Sequence, residues 1–234
     1  MEAIILAGGL GTRLRTAVPE LPKPMAPVAG RPFLEHQMDY WIVQGVSRFL
    51  LSVGYKAELI QAHFGKRYRN AEIAYSIEHT PLGTGGGLLL ALDQLESPKP
   101  FLILNGDTFF EVKLSDLLDF HESHGAQLTI ALREVLDNTR YGSVVLKDEG
   151  RITGFNAIPE GGRCIMNGGI YLAEKPAFSG LGIARGTAAS LEADLFGAML
   201  QKDRKLYGMI APGRFIDIGI PDDYYRAAEV ILQK

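Results

Sequence analysis

Hydrophobic residues in the first half of the chain follow two alternating patterns. Short runs of β-branched and aliphatic residues predict strands, and longer stretches with apolar residues at helical spacing predict amphipathic helices. The predicted strands are Ala3 to Ala7, Phe49 to Val53, Ile73 to Ile77 and Phe101 to Leu104, and the predicted helices are Phe33 to Gln44, Ala57 to Phe64 and Gly87 to Leu95. This alternation is typical of a mostly parallel sheet with helices on both faces.

The pattern changes after residue 125, where short strands follow one another across glycine-containing turns. We expect an antiparallel region there, formed by Leu128 to Leu132, Ser143 to Leu146, Arg151 to Phe155 and Ile170 to Ala173. Ser190 is a candidate N-cap for a helix that runs to Gln201.

The last part of the chain returns to strands and a helix. Leu206 to Ile210 and Phe215 to Ile218 are predicted strands, and Pro221 suits the first turn of a closing helix. We find neither a linker nor an internal repeat. The whole pattern predicts one α/β domain over residues 1–234, with a Rossmann-like mixed, mostly parallel sheet and a smaller strand-rich part.

Composition and charge narrow the range of partners. The net charge of −3 gives no reason to expect a nucleic-acid partner, because proteins that bind nucleic acids usually carry a basic face. No apolar run approaches the roughly 20 residues of a membrane helix, and Ala3 to Ala7 lacks the features of a signal peptide. We therefore expect no membrane partner and a cytoplasmic location. The single cysteine, Cys164, excludes an internal disulfide framework and is expected to be a structural thiol.

A glycine-rich loop, Leu6-Ala7-Gly8-Gly9-Leu10-Gly11-Thr12-Arg13-Leu14, follows the first predicted strand. Parallel sheets bind ligands at the carboxyl ends of their strands, and glycines let backbone N–H groups approach phosphate oxygens. The loop lacks the third glycine of a dinucleotide fingerprint and runs into prolines. A Walker loop is excluded as well, because the chain's Gly65-Lys66 pair precedes arginine and lacks the upstream glycine.

A second segment, Leu21-Pro22-Lys23-Pro24-Met25, holds one lysine between two prolines whose φ angles are preset. Together the two segments resemble the N-terminal signature of the sugar-phosphate nucleotidyltransferase superfamily, in which a Gly-Gly-x-Gly-Thr-Arg-Leu loop precedes Pro-Lys-Pro. The segments Pro81-Leu82-Gly83-Thr84-Gly85-Gly86, Asn105-Gly106-Asp107-Thr108-Phe109-Phe110 and Phe215-Ile216-Asp217-Ile218-Gly219 extend the resemblance over nearly the whole chain. With them, the resemblance is closest to the D-glycero-α-D-manno-heptose 1-phosphate guanylyltransferases. It implies the glycosyltransferase-A-like nucleotidyltransferase fold. It also implies that Arg13 and Lys23 stabilise the triphosphate.

Two aspartates are the predicted metal ligands. Asp107 ends the apolar run Phe101-Leu102-Ile103-Leu104-Asn105-Gly106-Asp107, and Asp217 lies within Phe215-Ile216-Asp217-Ile218-Gly219. Burying a carboxylate among isoleucines is costly unless it meets a cation or several donors. Mg²⁺ commonly takes one or two protein carboxylates and keeps its waters. The resemblance implies that Asp107 and Asp217 meet across one Mg²⁺ and are catalytic together with Arg13 and Lys23.

The segment Glu78-His79-Thr80-Pro81-Leu82-Gly83-Thr84-Gly85-Gly86 resembles the base-reading loop of the family. Guanine offers two adjacent donors, N1–H and the N2 amino group, and one carboxylate can accept both, so Glu78 favours GTP. A solvated loop glutamate is the alternative. The predicted nucleotide-binding residues are Leu6, Ala7, Gly8, Gly9, Gly11, Thr12, Arg13, Lys23, Glu78, Gly83, Thr84 and Asp107.

The sugar-contacting segments of the family are matched by Arg140-Tyr141-Gly142 and Asn167-Gly168-Gly169-Ile170-Tyr171. Tyr141, Gly142, Asn167, Gly168 and Tyr171 are therefore the predicted sugar-phosphate-binding residues. One departure concerns the lysine that relatives carry after the Gly-x-Phe strand to hold the sugar phosphate. This chain reads Gly154-Phe155-Asn156-Ala157-Ile158-Pro159 instead, and Arg163 is a candidate replacement for the missing charge.

The resemblance implies transfer of a nucleoside monophosphate from GTP to a sugar 1-phosphate, D-glycero-α-D-manno-heptose 1-phosphate, which yields GDP-heptose and pyrophosphate. Residues up to about 125 would mainly bind the nucleotide, and residues 126–234 would mainly bind the sugar phosphate and supply the second metal ligand. A mannose-1-phosphate or other hexose-1-phosphate nucleotidyltransferase and a non-catalytic nucleotide sensor are the alternatives. The sequence leaves open whether the chain forms a homo-oligomer.

Overall fold

The computed structural model describes residues 1–135, 143–157 and 164–233, with no side-chain description for residues 156 and 157. Its strands are β1 (Glu2–Leu6), β2 (Pro27–Val28), β3 (Arg31–Pro32), β4 (Arg48–Val53), β5 (Arg67–Tyr68), β6 (Ala71–Ile77), β7 (Phe101–Asn105), β8 (Thr108–Phe110), β9 (Leu128–Val135), β10 (Ser143–Leu146), β11 (Ile152–Ala157), β12 (Cys164–Ala173), β13 (Leu206–Ile210) and β14 (Phe215–Asp217). Its α-helices are α1 (Phe33–Val43), α2 (Ala57–Phe64), α3 (Gly83–Ala91), α4 (Leu114–Ser123), α5 (Gly197–Gln201) and α6 (Pro221–Leu232).

One 10-stranded sheet runs through the fold, with the strand order β11-β10-β12-β7-β1-β4-β6-β5, and in addition β9 pairs with β12 and β13 pairs with β9. Strands β7, β1, β4 and β6 are parallel to one another. Their register pairs Leu6 with both Ser52 and Asn105, so the carboxyl ends of three strands meet at one edge. The later strands are mostly antiparallel, except that β13 runs parallel to β9. The predicted fold class is confirmed.

Alternate residues of the central strands belong to two separate hydrophobic cores, one on each face of the sheet. Ile5 and Leu51 pack on one side of the sheet with residues of α1, α2 and α4. Ile4 and Leu50 pack on the other side with residues of α3 and the segment around Leu191. Burial of one such side chain contributes roughly 1.5–3 kcal/mol, so each helix is held mainly by its apolar face.

Two helical elements differ from the periodicity of the sequence. Helix α3 begins at Gly83, four residues before the predicted Gly87, because glycines without side chains contribute no apolar signal to the pattern. Helix α4 was not predicted. Its apolar residues are Leu114, Leu117, Leu118 and Phe120, and of these Leu114 and Leu117 are buried. Within the described residues, none of the helices is long and apolar enough to cross a membrane.

The predicted helix after Ser190 forms with an unusual first part. The Ser190 hydroxyl accepts a hydrogen bond from the backbone N–H of Ala193 at 3.2 Å, which confirms the predicted cap. Residues Leu191–Phe196 form a π-helical turn before α5 begins. Such turns are rare and are frequently found near functional sites. The prediction for Pro221 is also confirmed, since it occupies the first turn of α6.

Candidate active site

The glycine-rich loop leaves the sheet at the end of β1. The backbone N–H of Ala7 still bonds to Ser52 O at 2.8 Å, and the chain then turns away over Gly8 to Gly11. Gly11 has a φ of 59°, a left-handed conformation that glycine adopts without the steric cost of a side chain. The short 3₁₀ turn Thr12–Leu14 follows and carries Arg13, whose side chain is exposed. The loop therefore presents backbone and one arginine at the edge of the sheet.

Lys23 lies on a second 3₁₀ turn, Lys23–Met25, which is preceded by Pro22 in an extended conformation. The Lys23 ammonium lies 2.5 Å from Asp107 Oδ2, and its side chain is only 11% exposed. A Cβ atom at Gly11 would lie 3.3 Å from Lys23 Cβ, so the glycine-rich loop packs directly against the lysine. The prolines and this contact hold the cation at a fixed place.

Asp107 and Asp217 are brought together by the small antiparallel sheet of β8 and β14, in which Asp217 pairs with Thr108. The backbone N–H of Ile218 also donates to Asp107 O at 3.0 Å. A Cβ atom at Gly219 would lie 2.7 Å from Asp217 Oδ1 and 3.2 Å from Lys23 Nζ, so these two charged groups share one small space.

The electrostatics of the two carboxylates suit a cation. Burial and the nearby Asp107 charge raise the pKa of Asp217, although Lys23, the Gly219 N–H and Arg13 oppose that shift. Gly219 N donates to Asp217 Oδ1 at 2.6 Å. Within the described residues, no group of three or more histidine, cysteine or acidic side chains could hold a metal ion. Two neighbouring carboxylates, of which the Asp107 side chain is 32% exposed, fit a divalent cation that keeps several of its waters.

The Glu78 carboxylate is held by the protein on two sides. The Ser52 hydroxyl donates to Glu78 Oε1 at 3.2 Å, and the backbone N–H of Leu82 donates to Oε2 at 3.0 Å. Two glycines make room for it, because a Cβ atom at Gly8 or Gly87 would lie 2.4 or 2.6 Å from Glu78 Oε1. The half-buried carboxylate is thus fixed at the wall of the site rather than solvated on a free loop.

These elements line one cleft of about 480 Å³. All the predicted nucleotide-binding residues lie on its walls, whereas Asp217 lies beside Asp107 and is not among the wall residues. The walls are formed by Leu6, Ala7, Gly8, Gly9, Leu10, Gly11, Thr12, Arg13, Lys23, Pro24, Glu78, Pro81, Gly83, Thr84, Asn105, Gly106 and Asp107.

The predicted sugar residues are placed differently from one another. Tyr141 and Gly142 lie outside the described residues, as does Arg163. Asn167 Nδ2 donates to Glu192 Oε1 at 2.7 Å and bonds to the Tyr171 hydroxyl at 2.8 Å.

The direct sugar contact expected of Tyr171 is corrected by its burial. Its side chain is 0% exposed, and burial followed by the Glu192 charge raises the pKa of its hydroxyl. The hydroxyl also bonds to the Asn105 side chain, so the ring lies behind Asn167 and Asn105 and supports them. Gly168 is buried as well, because a Cβ atom there would lie 2.5 Å from Phe110. Asn167 is therefore the predicted sugar residue of this strand that is partly accessible.

Two residues that support the site were not predicted. Gln37 of α1 is 2% exposed and donates from Nε2 to Asn105 O and Thr108 O, both at 2.8 Å. An amide on the apolar face of α1 is a signal that could have identified it. Glu192 had no predicted role at the site, and its bond to Asn167 joins residues 25 positions apart.

The glycine-rich loop after β1, the fixed Lys23 and Asp107 after β7 meet in one cleft of a mostly parallel α/β fold, an arrangement that suits nucleotidyl transfer. The sequence profile of the nucleotidyl transferase family matches residues 2–234, and the chain belongs to that family.

The chain is also similar to individual named proteins. The chain is 45% identical to the D-glycero-alpha-D-manno-heptose 1-phosphate guanylyltransferase of Aneurinibacillus thermoaerophilus, over 97% of this chain and 96% of that protein. It superposes on crystalline HddC from Yersinia pseudotuberculosis complexed with GMP-PN with a TM-score of 0.82, at 35% identity and over 97% and 98% of the two chains. The mannose-1-phosphate guanyltransferase of Schizosaccharomyces pombe is 37% identical over 96% of this chain and 62% of its own length.

Proposed function

We propose that this chain is a guanylyltransferase that transfers GMP from GTP to D-glycero-α-D-manno-heptose 1-phosphate and releases pyrophosphate. The observation that carries the proposal is the single cleft that joins the glycine-rich loop, Lys23, Glu78 and Asp107. Gly8 of the loop lies against Glu78, and Gly11 lies against Lys23, which bonds to Asp107. The groups proposed to contact the base, the phosphates and the metal therefore follow one another along the cleft.

The chemistry requires positioning more than proton transfer. An oxygen of the sugar 1-phosphate attacks the α-phosphorus, the bond from that phosphorus to the β-phosphate oxygen breaks, and pyrophosphate leaves with the electron pair. The attacking oxygen is already anionic, so no side chain needs to act as a base. Arg13 and Lys23 neutralise the triphosphate and the charge that develops on the leaving group.

Burial and the nearby Asp107 charge raise the pKa of Asp217, and a divalent cation would offset both effects, so Asp107 and Asp217 would hold Mg²⁺. When bound, Mg²⁺ supplies positive charge against the phosphate oxygens. Lys23, which bonds to Asp107, would add its own positive charge toward the same phosphates.

Glu78 reads the base in this proposal. Its carboxylate is oriented by Ser52 and Leu82. Each oxygen keeps acceptor capacity for the N1–H and N2 amino groups of guanine. Uracil and thymine present a single N–H between two carbonyl groups, so they leave one oxygen without a donor.

The sugar assignment rests on the higher identity to the heptose enzyme than to the mannose enzyme. Asn167, with Glu192 beside it, is the proposed sugar contact among the described residues. A heptose differs from mannose by one carbon and one hydroxyl. A site that hydrogen-bonds that hydroxyl discriminates strongly, because the shorter sugar leaves its partner unpaired.

The test is a comparison of kcat/KM for D-glycero-α-D-manno-heptose 1-phosphate and α-mannose 1-phosphate, each with GTP. We expect the heptose to be the better substrate. Equal or better turnover of mannose 1-phosphate would favour the mannose-1-phosphate guanylyltransferase alternative, which the 37% identity to the yeast enzyme keeps in view. GTP binding without pyrophosphate release for any sugar 1-phosphate would instead indicate a nucleotide sensor.

A further inference from the structure

The buried side chain of Gln37 binds the backbone of the turn that carries Asp107. Gln37 projects from α1 and is 2% exposed. Its amide nitrogen donates to Asn105 O and to Thr108 O, each at 2.8 Å. These two carbonyls bracket Gly106 and Asp107, so a single –NH₂ group spans the whole turn.

The chemistry of this contact is specific to an amide. Both partners are carbonyl oxygens, which only accept hydrogen bonds, and an –NH₂ group has one hydrogen for each. Gln37 Oε1 is buried and has no hydrogen-bond partner among the described residues. A buried polar atom without a partner is unusual and asks for a reason. The reason here is that the nitrogen must face the two carbonyls.

Backbone hydrogen bonds also support the turn. Gly106 N donates to Leu6 O at 3.0 Å, and Ile218 N donates to Asp107 O at 3.0 Å. The first bond ties the turn to β1 and the glycine-rich loop, and the second ties it to the strand of Asp217. Among the described hydrogen bonds, Gln37 is the side chain that links the turn to a helix.

We propose that Gln37 is a positioning residue that keeps the Asp107 carboxylate beside Asp217 and Lys23, so that the two aspartates bind a divalent cation as a pair. This inference rests on the proposed function, in which those aspartates are the metal ligands. Gln37 does not contact the nucleotide or the sugar phosphate itself. It acts through the backbone of the turn, as groups behind a metal ligand do in other proteins.

The test compares two substitutions with a matched control. Gln37→Leu removes both N–H groups, and Gln37→Glu keeps the shape but turns acceptors toward the two carbonyls. Gln44→Leu is the control, because Gln44 ends the same helix and its amide likewise bonds to the backbone, at Val112 O (3.3 Å) and Leu114 N (2.7 Å), away from the turn.

The primary measurement is Mn²⁺ binding to each full-length protein, followed by the loss of the free-ion electron paramagnetic resonance signal. The number of sites per chain reports the folded fraction, and the dissociation constant reports the site itself. We expect both Gln37 variants to bind Mn²⁺ about 10–100-fold more weakly, with the site number retained, and Gln44→Leu to match the unsubstituted protein. The Mg²⁺ concentration for half-maximal GTP turnover should rise in parallel.

Unchanged Mn²⁺ affinity in the folded Gln37 variants would overturn the inference, and so would an equal loss in Gln44→Leu, which would indicate general damage to α1. The two proposals fail separately. If the unsubstituted protein binds Mn²⁺ but does not turn over GTP with any sugar 1-phosphate, the proposed function fails while the comparison of metal affinities stays valid.

Discussion

Replacing Gly87 by alanine tests whether GTP binding depends on the position of the Glu78 carboxylate. Gly87 lies inside α3, where alanine would stabilise the helix by about 1 kcal/mol through its higher propensity. The added methyl group would, however, lie 2.6 Å from Glu78 Oε1 and 2.9 Å from Ser52 Oγ. Real Cβ atoms do not approach other atoms so closely, so the carboxylate must move.

The magnitude follows from what the carboxylate loses. A hydrogen bond to a charged group contributes about 1.5–3 kcal/mol, which exceeds the gain in helix propensity. We therefore expect Gly87→Ala to lower the free energy of unfolding by about 0.5–2 kcal/mol, the difference between the two effects. It should also weaken GTP binding by about tenfold or more, since 1.4 kcal/mol corresponds to a factor of ten.

The assay measures dissociation constants for GTP and ITP, because inosine lacks the N2 amino group that Glu78 is expected to read. In Gly87→Ala the two constants should converge. Gly197→Ala is the control: Gly197 has helical dihedral angles and no atom within 4 Å of its added Cβ, so it should gain about 0.4–1 kcal/mol and keep the GTP preference. Glu78→Gln should weaken GTP selectively by about 1–3 kcal/mol without the steric effect.

The reasoning would be refuted if Gly87→Ala were stabilised like Gly197→Ala and still preferred GTP to ITP. That result would mean that the Glu78 carboxylate has room to move without loss. An unchanged preference of Glu78→Gln among GTP, UTP and dTTP would go further, since backbone groups would then be reading the base.

Four further substitutions test the site and one ion pair outside it. Asp107→Asn should leave a folded protein with turnover lowered by about 10²–10³-fold, and near-normal turnover at saturating Mg²⁺ would exclude Asp107 as a metal ligand. Glu111→Gln should cost about 1–3 kcal/mol at neutral pH, because hydrogen bonds from Arg214 lower the pKa of Glu111. Since a lowered folded-state pKa stabilises above the unfolded value, near 4.5, the difference in unfolding free energy should persist above that pH and disappear as the pH falls through the lowered pKa. Gly9→Ala should keep the melting temperature of the unsubstituted protein but bind GTP more weakly, because its added Cβ meets no protein atom within 4 Å. Gly8→Ala should lower both the melting temperature and the GTP affinity, because its added Cβ meets Glu78 Oε1. Calorimetry and nucleotide titration measure the two effects.

The sequence predicted which residues line the cleft because that information is local. The glycine-rich loop, Glu78 and Asp107 each follow a strand, and parallel strands bring their carboxyl ends to one edge. The register of β1 with its two neighbours does this for Leu6, Ser52 and Asn105. Asp217 could be assigned only through the family resemblance, because its place beside Asp107 depends on pairing between strands more than 100 residues apart.

The sugar side was harder because packing above strand β12 decides it. Along β12, Asn167 pairs with Leu132 and Ile170 pairs with Ala131, so two extra residues, Gly168 and Gly169, bulge out of the ladder. A two-residue insertion leaves Asn167 and Tyr171 on the same face, so alternation does not distinguish them. Tyr171 is buried because Phe196, 25 residues further along, packs against its ring at 5.5 Å. Gln37 has no local signal for its partners either, since they lie 68 and 71 residues further along.

Glycine is needed in the cleft for two different physical reasons, and different glycines of the structure correspond to each. A glycine-rich loop suggests that backbone N–H groups approach a phosphate, which fits Gly9, where an added Cβ would meet nothing within 4 Å. At Gly8 the added Cβ would meet Glu78 Oε1, and at Gly106 it would lie 2.6 Å from Leu6 O. These two glycines make room for groups of the protein itself. The glycine content of the site therefore reflects the space that its carboxylate and strand ends require as much as the space required by the ligand.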